Sequence, residues 1–569
     1  MTTMKWLGVL AWAPAVSVAQ VDNLHVLVNN NDAAGSNSIS AAAYDAGSDT
    51  AYTTSFGAGG ALRRITGVST ATPVSEVMVS EAQLQLFYRD GDPTRSVSTP
   101  LQSGLIFNPV PVGSIPAFDS LWISDSGFTR FPAPSSTTDP DATKRVYRYN
   151  LQAPPAGGDG RDVFSQLVSL AQLRAASGGG TASDNFGRQM AFSPDGQSIY
   201  AADSSTAHGG IYRIDPETGA IARLHVGRIN TEPAVVQVGL SDRVLFAGTS
   251  ASGNDGGISY IDHNGTTTSA EQVLVSTATL TDFLDRPAPA TADIRSMTTD
   301  DDGNVFFNDI GTSTLIRLDP QGRLVKVTTR NERDLVFTGA VGASPTPNSN
   351  NLRLQTYQHT HPSAGAITRV VYVESTPLNF VAAVDVFDPI DFNRDGSTDA
   401  ADVALFKPKL GTRGSVAALS DARYDLNGNG SIDWKDVKIL QSFVPSIRNG
   451  DANMDGAVDF IDLNILRDNY LGTGKTWLEG DFASLVANSA VYLPTASDAN
   501  VVNYVDLETL AGTWLNVLGQ PAPTEQDLDA NGYTGQFRND VIAAFNIPEP
   551  MSLGLLPLAG LLLGRRRAP

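Results

Sequence analysis

Three twelve-residue stretches of this sequence carry oxygen-bearing side chains at identical spacings: residues 391–402 (loop 1), 425–436 (loop 2) and 451–462 (loop 3). Each has Asp or Asn at positions 1, 3, 5, 9 and 12, and glycine at position 6, where the backbone must turn sharply. Ca²⁺ takes six to eight hard oxygen ligands, and this pattern supplies them, with a backbone carbonyl at position 7. The predicted Ca²⁺ ligands are Asp391, Asn393, Asp395, Ser397, Asp399, Asp402, Asp425, Asn427, Asn429, Ser431, Asp433, Asp436, Asp451, Asn453, Asp455, Ala457, Asp459 and Asp462.

An acidic, glycine-rich linker is the alternative interpretation of these stretches. A linker has no reason to keep one register three times, and carboxylates packed this closely repel one another without a cation. Apolar residues follow each loop at positions 13, 16 and 20, which is the spacing of one helical face. The sequence therefore predicts a calcium loop and then a helix, three times, with the apolar face formed by Val403, Phe406, Leu410, Val437, Leu440, Val444, Leu463, Leu466 and Tyr470.

A loop followed by a single helix, in tandem and with Asp at position 12, resembles the type I dockerin family of EF-hand-like modules. The resemblance covers residues 388–545 and implies a small all-α module with Ca²⁺ as its cofactor. We expect chelation to unfold residues 388–470 alone. Dockerins of this type dock onto cohesin modules, commonly through a Ser-Thr pair at loop positions 10 and 11. Here the chain departs from the family, with Ala400-Ala401, Trp434-Lys435 and Phe460-Ile461 at those positions.

Two further copies, within residues 471–547, depart from the pattern and are predicted to keep their helices but not a metal. The fourth begins at Asp481 and reaches its matching end at Asp506 only after a polar insertion, and its helix carries Leu507, Leu510 and Trp514. The fifth begins at Asp527 but has Gly535 and Arg538 at positions 9 and 12. A cationic side chain at position 12 would repel Ca²⁺.

Composition limits the classes of function that this chain can have. It has 569 residues, a net charge of −21, a pI of about 4.6 and no cysteine. A chain with such a large negative net charge is not expected to bind nucleic acid. At the N-terminus, Lys5, an apolar run and the small-residue site ending at Ala19 predict a secretory signal peptide over residues 1–19. An uncleaved membrane anchor is the alternative. An exported chain without cysteine has no disulfides, so core packing and Ca²⁺ must stabilise it.

The other end of the chain combines Pro548-Glu549-Pro550, an apolar stretch from Met551 to Leu563 and three consecutive arginines. The apolar stretch is short for a membrane span, which needs about 20 residues. The three parts together resemble the PEP-CTERM sorting signal of Gram-negative bacteria. The resemblance implies that an exosortase-type protease removes residues 548–569 during delivery to the cell surface or extracellular matrix, after the segment has held the chain transiently at the membrane.

Residues 20–385 show short alternating runs separated by turn residues, which predicts an all-β domain. The clearest unit runs from Gln189 to His225 and contains four strands joined by Ser-Pro-Asp-Gly and Pro-Glu-Thr-Gly turns. Similar units recur about every 45 to 60 residues, as the blades of a β-propeller do. We predict about six blades, with a pair of β-sandwiches as the alternative. The turns resemble those of secreted NHL-like or lactonase-like propellers.

Few residues of this domain could catalyse a reaction. His359 and His361 could hold a metal from one side of a strand, but no third ligand is evident, and two solvated histidines are the favoured interpretation. Asn308 and Asp309 could face a central channel, but a turn-capping role is favoured. No nucleophilic triad or phosphate loop is present.

Taken together, these features predict an exported, surface-associated Ca²⁺-binding protein with a non-catalytic propeller as its interaction domain. Its partner would be a cohesin-like module, an extracellular polysaccharide or another surface protein. The alternative is a secreted carbohydrate-active enzyme, a glycoside hydrolase, a lyase or a lactonase-like enzyme, that carries a dockerin module. An acidic pair or a metal triad in the propeller channel would favour the enzyme.

Overall fold

The fold is taken from a computed structural model. It describes residues 24–547 except for 29–38, 56–61, 71–72, 90–101, 109, 114, 118, 126–143, 153–162, 180–185, 207, 230, 250–255, 286–292, 331, 334–352, 362–364, 375–379, 412–418, 483–500 and 516–520. The predicted signal peptide and the predicted sorting signal therefore lie outside the described residues. Contacts divide the chain into two compact units: a first unit of residues 1–397 and 414–431, and a second unit of residues 398–413 and 432–569.

The first unit contains six four-stranded antiparallel sheets, the blades of a β-propeller. The innermost strands of the blades contact one another in sequence, and the last contacts the first, so the ring is closed. Both the propeller fold and the count of six blades are confirmed, and the β-sandwich alternative is wrong. Blade 1 is β2 (Ile39–Asp45), β3 (Thr50–Ser55), β4 (Leu62–Thr66) and β5 (Val74–Val79); blade 2 is β6 (Gln102–Phe107), β7 (Ser120–Asp125), β8 (Lys144–Asn150) and β9 (Phe164–Ser169); blade 3 is β10 (Phe186–Phe192), β11 (Ile199–Asp203), β12 (Gly210–Ile214) and β13 (Ile221–Val226).

The remaining blades follow the same plan, with one pair of short strands added. That pair, β14 (Arg228–Ile229) and β17 (Gly248–Thr249), forms a small separate two-stranded sheet next to blade 4 in the sequence. Blade 4 is β15 (Ala234–Val238), β16 (Ser241–Phe246), β18 (Ile258–His263) and β19 (Gln272–Val275), with β14 at Arg228–Ile229 and β17 at Gly248–Thr249; blade 5 is β20 (Ile294–Thr299), β21 (Val305–Asp309), β22 (Thr314–Leu318) and β23 (Leu324–Thr328); blade 6 is β24 (Arg353–His361), β25 (Gly365–Glu374), β26 (Phe380–Val386) and β1 (Leu24–Val28).

Blade 6 takes its outermost strand from the start of the domain. β1 pairs antiparallel with β26, with Leu24 opposite Val384. A side-chain hydrogen bond reinforces this junction, since Nε2 of His25 lies 2.9 Å from the buried carboxylate of Asp385. The guanidinium of Arg369 on β25 binds the same carboxylate. The ring is therefore closed by backbone pairing and by a charged cluster across three strands.

The turns predicted from the sequence connect the strands of blade 3. Gly196 adopts φ +71° in the Ser-Pro-Asp-Gly turn, and the carboxylate of Asp215 accepts the N–H groups of Glu217 and Thr218 in the next turn. Asx turns of this kind favour Asp at the first position. The aromatic side chains of Trp122 and Tyr200, which lie on β7 and β11, are both fully buried. Local turn chemistry and apolar alternation thus account for the blade.

Short helices follow the outermost strands of blades 1, 2 and 4, and the sequence analysis missed them. The helices are α1 (Glu81–Tyr88), α2 (Leu170–Ala176) and α3 (Thr277–Phe283). Each begins after a serine whose hydroxyl accepts the N–H three residues later, which satisfies an otherwise unpaired donor. A buried leucine four residues after each serine attaches the helix to the core, and these leucines are Leu84, Leu173 and Leu280.

The first unit also contains parts of the predicted calcium region, which pack on blade 5. The N–H of Lys326 on β23 donates to the carbonyl of Leu426 at 2.8 Å, and Nζ of Lys326 donates to the carbonyl of Ala422 at 2.5 Å. The same ammonium group pairs with Glu332 at 2.8 Å, and both side chains are largely buried. Residues 422–426 therefore cover the outer edge of blade 5.

The second unit is helical. Its helices lie immediately after the loops, as predicted, but those after loops 1 to 3 end before position 20, so Leu410, Val444 and Tyr470 lie beyond them. No described helix is both long and apolar enough to cross a membrane. The helices are α4 (Ala400–Phe406), α6 (Trp434–Phe443), α7 (Phe460–Asn469), α8 (Tyr504–Leu515), α9 (Glu525–Ala530) and α10 (Gly535–Ala544), and the short α5 (Leu419–Ala422) belongs to the first unit.

Candidate metal sites

The backbone of loops 1 to 3 follows one course, which the glycine at position 6 permits. Gly396, Gly430 and Gly456 have φ values of +87°, +86° and +92°, a region that other residues rarely adopt. Position 4 is also left-handed in all three loops, although only loop 2 has glycine there; Arg394 and Met454 occupy it in loops 1 and 3. The shared backbone matches the shared spacing of the side chains.

Hydrogen bonds within the loops repeat as well. The carboxylate at position 1 accepts the N–H of position 6 at 2.8 to 2.9 Å in every loop. The side chain at position 3 accepts the N–H of position 5, and that at position 5 accepts the N–H of position 7. These bonds fold each loop around the oxygens of positions 1, 3 and 5.

Positions 9 and 12 join each loop to the helix behind it. Asp399, Asp433 and Asp459 are the N-caps of α4, α6 and α7, and each carboxylate accepts the N–H two residues later. The aspartate at position 12 accepts the N–H of position 9 in return, at 2.8 to 3.0 Å. This reciprocal capping box fixes the start of the helix. In loop 3, Asp462 at position 12 also accepts the N–H groups of Ala452 and Asn453 at 2.8 and 3.2 Å, which places it against the start of its loop.

Burial increases the free-energy cost of ionising several of these carboxylates. The position 12 aspartates are fully buried, as is Asp451, and Asp425 is 3% exposed. Burial raises the pKa of Asp451 to about 7, the neighbouring Asp462 adds to this, and backbone N–H donors oppose it. Burial also raises the pKa values of Asp425 and Asp462. A divalent cation would remove this penalty, so the donor set fits Ca²⁺.

The predicted ligand side chains do not form a complete coordination sphere in the described structure. Across the part of the chain that the structure describes, no three Asp, Glu or His side chains lie together as a metal-binding group. Asp391 is half-buried, whereas Asn393, Asp395, Ser397 and Asp399 are exposed. The structure thus places the predicted ligands on loops of common geometry, and metal binding itself stays a prediction.

The fourth repeat keeps the two ends of a loop. Asp481 and Asp506 are buried, and the N–H of Phe482 donates to Asp506 at 2.8 Å. The N–H of Ala452 makes the equivalent bond to Asp462 in loop 3. Leu507, Leu510 and Trp514 are buried on α8, as predicted. The polar insertion between the two ends lies outside the described residues, so the predicted loss of metal here stays a prediction.

The fifth repeat has no loop at its start, and the expectation of one was wrong. Residues 525–530 form α9, and Asp527 serves as its third residue, accepting the N–H and hydroxyl of Thr524. Arg538 pairs with Glu525 at 2.8 Å. The Thr-x-x-Asp capping signal at 524–527 could have revealed this helix. A contact that the sequence did not predict joins this repeat to loop 3, because the hydroxyl of Tyr470 donates to Asp540 at 2.7 Å.

The structure gives contacts for each of the candidate residues of the propeller. Asp309 accepts the N–H of Asp293 and both the N–H and the hydroxyl of Thr312, and Asn308 accepts the N–H of Ser296. The turn-capping interpretation holds for Asp309. Asn308 instead accepts from the neighbouring strand β20, and its buried Nδ2 has no hydrogen-bond partner among the described residues. His359 and His361 lie on β24, where their rings pack near Tyr357 and Phe387. Neither histidine belongs to a metal-binding group among the described residues.

Fold and loops together define a class: a six-bladed β-propeller protein with a C-terminal helical region that carries a dockerin domain. Residues 389–444 match the family described as the dockerin type I domain. This segment spans loops 1 and 2 with the helices that follow them. A comparison with curated proteins finds no match to the chain.

Several solved structures share similarity with the propeller. A luciferin-regenerating enzyme is 10% identical, with a TM-score of 0.37 over 64% of this chain and 95% of its own. A calcium-binding protein, regucalcin, from Agrobacterium tumefaciens is 10% identical, with a TM-score of 0.35 over 64% and 94%. A gluconolactonase from Xanthomonas campestris is 12% identical, with a TM-score of 0.37 over 66% and 94%. With identities and TM-scores this low, we draw no functional conclusion from them.

Proposed function

We propose that this chain is an exported, surface-associated Ca²⁺-binding protein in which loops 1 to 3 each hold one ion. The observation that carries the proposal is the repetition of one loop geometry, with buried carboxylates at position 12, three times. Side chains at positions 1, 3, 5, 9 and 12 and the carbonyl at position 7 would hold the ion. The ion would offset the charge of carboxylates that burial otherwise penalises, as it does for Asp451.

Ca²⁺ would act here as a structural cofactor. Position 12 takes part both in the loop and in the capping box of the following helix. An ion held by that carboxylate would therefore stabilise the helix start as well as the loop. Metal that binds only the folded form adds its binding free energy to the stability of the chain.

The propeller would then be the interaction domain of a chain whose C-terminal region is folded and binds Ca²⁺. The dockerin match supports a cohesin-like partner, and extracellular polysaccharide or another surface protein are further candidates. Positions 10 and 11 of the loops, where related domains commonly carry Ser-Thr, include Ile461, which is 53% exposed. A partner that contacts this loop would meet an apolar side chain. Export by the signal peptide and processing of residues 548–569 by an exosortase-type protease complete the proposal.

A calorimetric titration of the full chain with Ca²⁺ tests the proposal. We expect three equivalents of Ca²⁺, with dissociation constants of about 10⁻⁴ to 10⁻³ M, as is typical of extracellular modules. Asp462→Asn should remove one equivalent, because it alters position 12 of loop 3. Asp468→Asn is the matched control, since that carboxylate is exposed on the same helix. No calcium binding, or three equivalents in both variants, would refute the assignment.

The alternative, a secreted carbohydrate-active enzyme, makes a different prediction. It requires turnover of a polysaccharide or a lactone by the full chain in the presence of Ca²⁺. A binding protein should retain its ligand unchanged. Product formation above the rate without protein would establish the enzyme and would show that the propeller is not merely an interaction surface.

A further inference from the structure

A cavity of about 380 Å³ lies within the first compact unit, away from the propeller's innermost strands. Its walls come from β22, β23 and β26 and from residues 387–394 and 422–426. This volume is sufficient for a small molecule. Val325, Val327, Val386 and Leu426 contribute apolar side chains to the lining, and we call them the apolar wall.

Arg317 on β22 lines the cavity and has an unsatisfied donor. Its Nε is buried and has no hydrogen-bond partner among the described residues. A buried donor without an acceptor destabilises the fold, and it does so more strongly when the group is charged. Such a group is stabilised once an acceptor enters the cavity.

The equivalent arginine of blade 3 has the hydrogen-bond partner that Nε of Arg317 lacks. Arg213 on β12 lies opposite Tyr200 in the same register in which Arg317 lies opposite Phe306. Nε of Arg213 donates to the hydroxyl of Ser198, just before β11, at 2.7 Å. The equivalent residue before β21 is Asn304, whose side chain donates to Asp300 instead. The partner found in blade 3 is therefore absent in blade 5.

Other charged groups on the walls already have partners. Lys326 pairs with Glu332, and Asp385 pairs with His25 and Arg369. Arg423 donates to the carbonyl of Phe392 at 2.8 Å. Arg394 lies over the ring of Phe387. Arg317 is thus the cation of the cavity with an unused donor in the described structure.

The acidic residues on the walls accept hydrogen bonds from nearby backbone N–H groups. Their negative charge disfavours a ligand that carries two negative charges. Asp388 accepts the N–H of Ile390, and Asp391 accepts the N–H groups of Asp395 and Gly396. With Ca²⁺ bound to loop 1, the Asp388 carboxylate would still repel a dianion such as phosphate more strongly than a monoanion. A planar carboxylate also matches the fork of a guanidinium group.

We propose that this cavity binds a small organic acid, with its single carboxylate on Arg317 and its carbon skeleton against the apolar wall. The site is separate from the calcium proposal, because neither Arg317 nor the apolar wall is a predicted Ca²⁺ ligand. Keeping Ca²⁺ at a constant millimolar concentration holds loop 1, which also contributes to the cavity wall, in one state throughout.

Titration calorimetry of the full chain with benzoate tests the proposal. Benzoate carries one carboxylate on an apolar ring, benzamide is its neutral equivalent, and inorganic phosphate is the dianionic comparison. We expect benzoate to bind with a millimolar dissociation constant, and benzamide and phosphate at least tenfold more weakly. Absence of benzoate binding, or equal affinities for benzoate and benzamide, would overturn the proposal.

Two variants separate binding from folding. Arg317→Met should weaken benzoate binding at least tenfold, whereas Arg213→Met, in the equivalent register of blade 3, should leave it unchanged. The melting temperature without benzoate should not fall in Arg317→Met, because the substitution removes a buried donor without a partner. A lower melting temperature with unchanged benzoate affinity would show that Arg317 is structural, and the proposal would be wrong.

Discussion

Replacing Lys326 by Met tests how firmly the calcium region is joined to the propeller. The ammonium group pairs with Glu332 at 2.8 Å and donates to the carbonyl of Ala422 at 2.5 Å. The two charged side chains are 5% and 12% exposed, so water cannot replace the lost partner. Removing one member of a buried ion pair typically costs about 3 to 5 kcal/mol. We expect a loss of this size in the free energy of unfolding.

Urea denaturation followed by circular dichroism measures this loss in the full chain. Arg64→Met is the matched control, because Arg64 and Glu76 form an exposed ion pair with side chains 40% and 45% exposed. Exposed pairs contribute about 0 to 1 kcal/mol, so this control should barely change stability. A loss below about 1 kcal/mol in Lys326→Met would refute the assignment of a buried, stabilising pair.

The double variant Lys326→Met with Glu332→Gln distinguishes the ion pair from simple packing. Glutamine keeps an oxygen for the N–H of Thr329, which Glu332 accepts at 2.5 Å. Without an unpaired buried charge, the double variant should recover most of the stability lost in the single variant. If the double variant is as unstable as Lys326→Met, the cost comes from the lost bond to Ala422 and not from the charge.

Three further predictions follow from the fold and loops. The expectation that chelation unfolds residues 388–470 alone has to be corrected, because residues 414–431 belong to the propeller's compact unit. Chelation of Ca²⁺ should therefore lower the melting temperature of the propeller as well as that of the helical unit. Calorimetry with and without chelator measures this, and an unchanged propeller transition would contradict it. Burial disfavours the Asp385 carboxylate, but hydrogen bonds from His25 and Arg369 outweigh it and lower its pKa from 3.8 to about 2. Its contribution of about 2 kcal/mol should be complete above pH 4 and disappear as the pH falls through 2, so the stability difference between wild type and Asp385→Asn should shrink over that range. Ser169→Ala should cost about 1 kcal/mol by removing the cap of α2, while the exposed Gln152→Ala should cost much less.

The backbone course of loops 1 to 3 could be predicted because the sharp turn at position 6 requires glycine. Gly396, Gly430 and Gly456 all adopt the left-handed backbone that the pattern requires. The blades could be predicted because Asp-Gly and Asp-Pro-x-Thr-Gly turns separate strands in which apolar and polar residues alternate. In both cases the signal is local, so neighbouring residues in the sequence contain it.

Features that depend on short or distant signals were missed. The helices α1 to α3 have seven or eight residues, too few to show a helical period, although their Ser caps were visible in the sequence. The packing of residues 422–426 against β23 joins segments about a hundred residues apart, and periodicity does not report such a contact. The predicted boundary near residue 388 divides the chain by sequence pattern, whereas the compact units divide within loops 1 and 2.

The pairing of β1 with β26 has a consequence for the order of folding. Leu24 and Val384 become neighbours only after almost the whole propeller has been made, and contacts so distant in sequence form slowly. Because β1 precedes β26 in the chain, β1 has no partner strand until β26 has been made. During that interval the unpaired backbone groups of β1 can pair with another chain. The chain is therefore vulnerable to aggregation until β26 forms, and a chaperone that shields β1 would protect it.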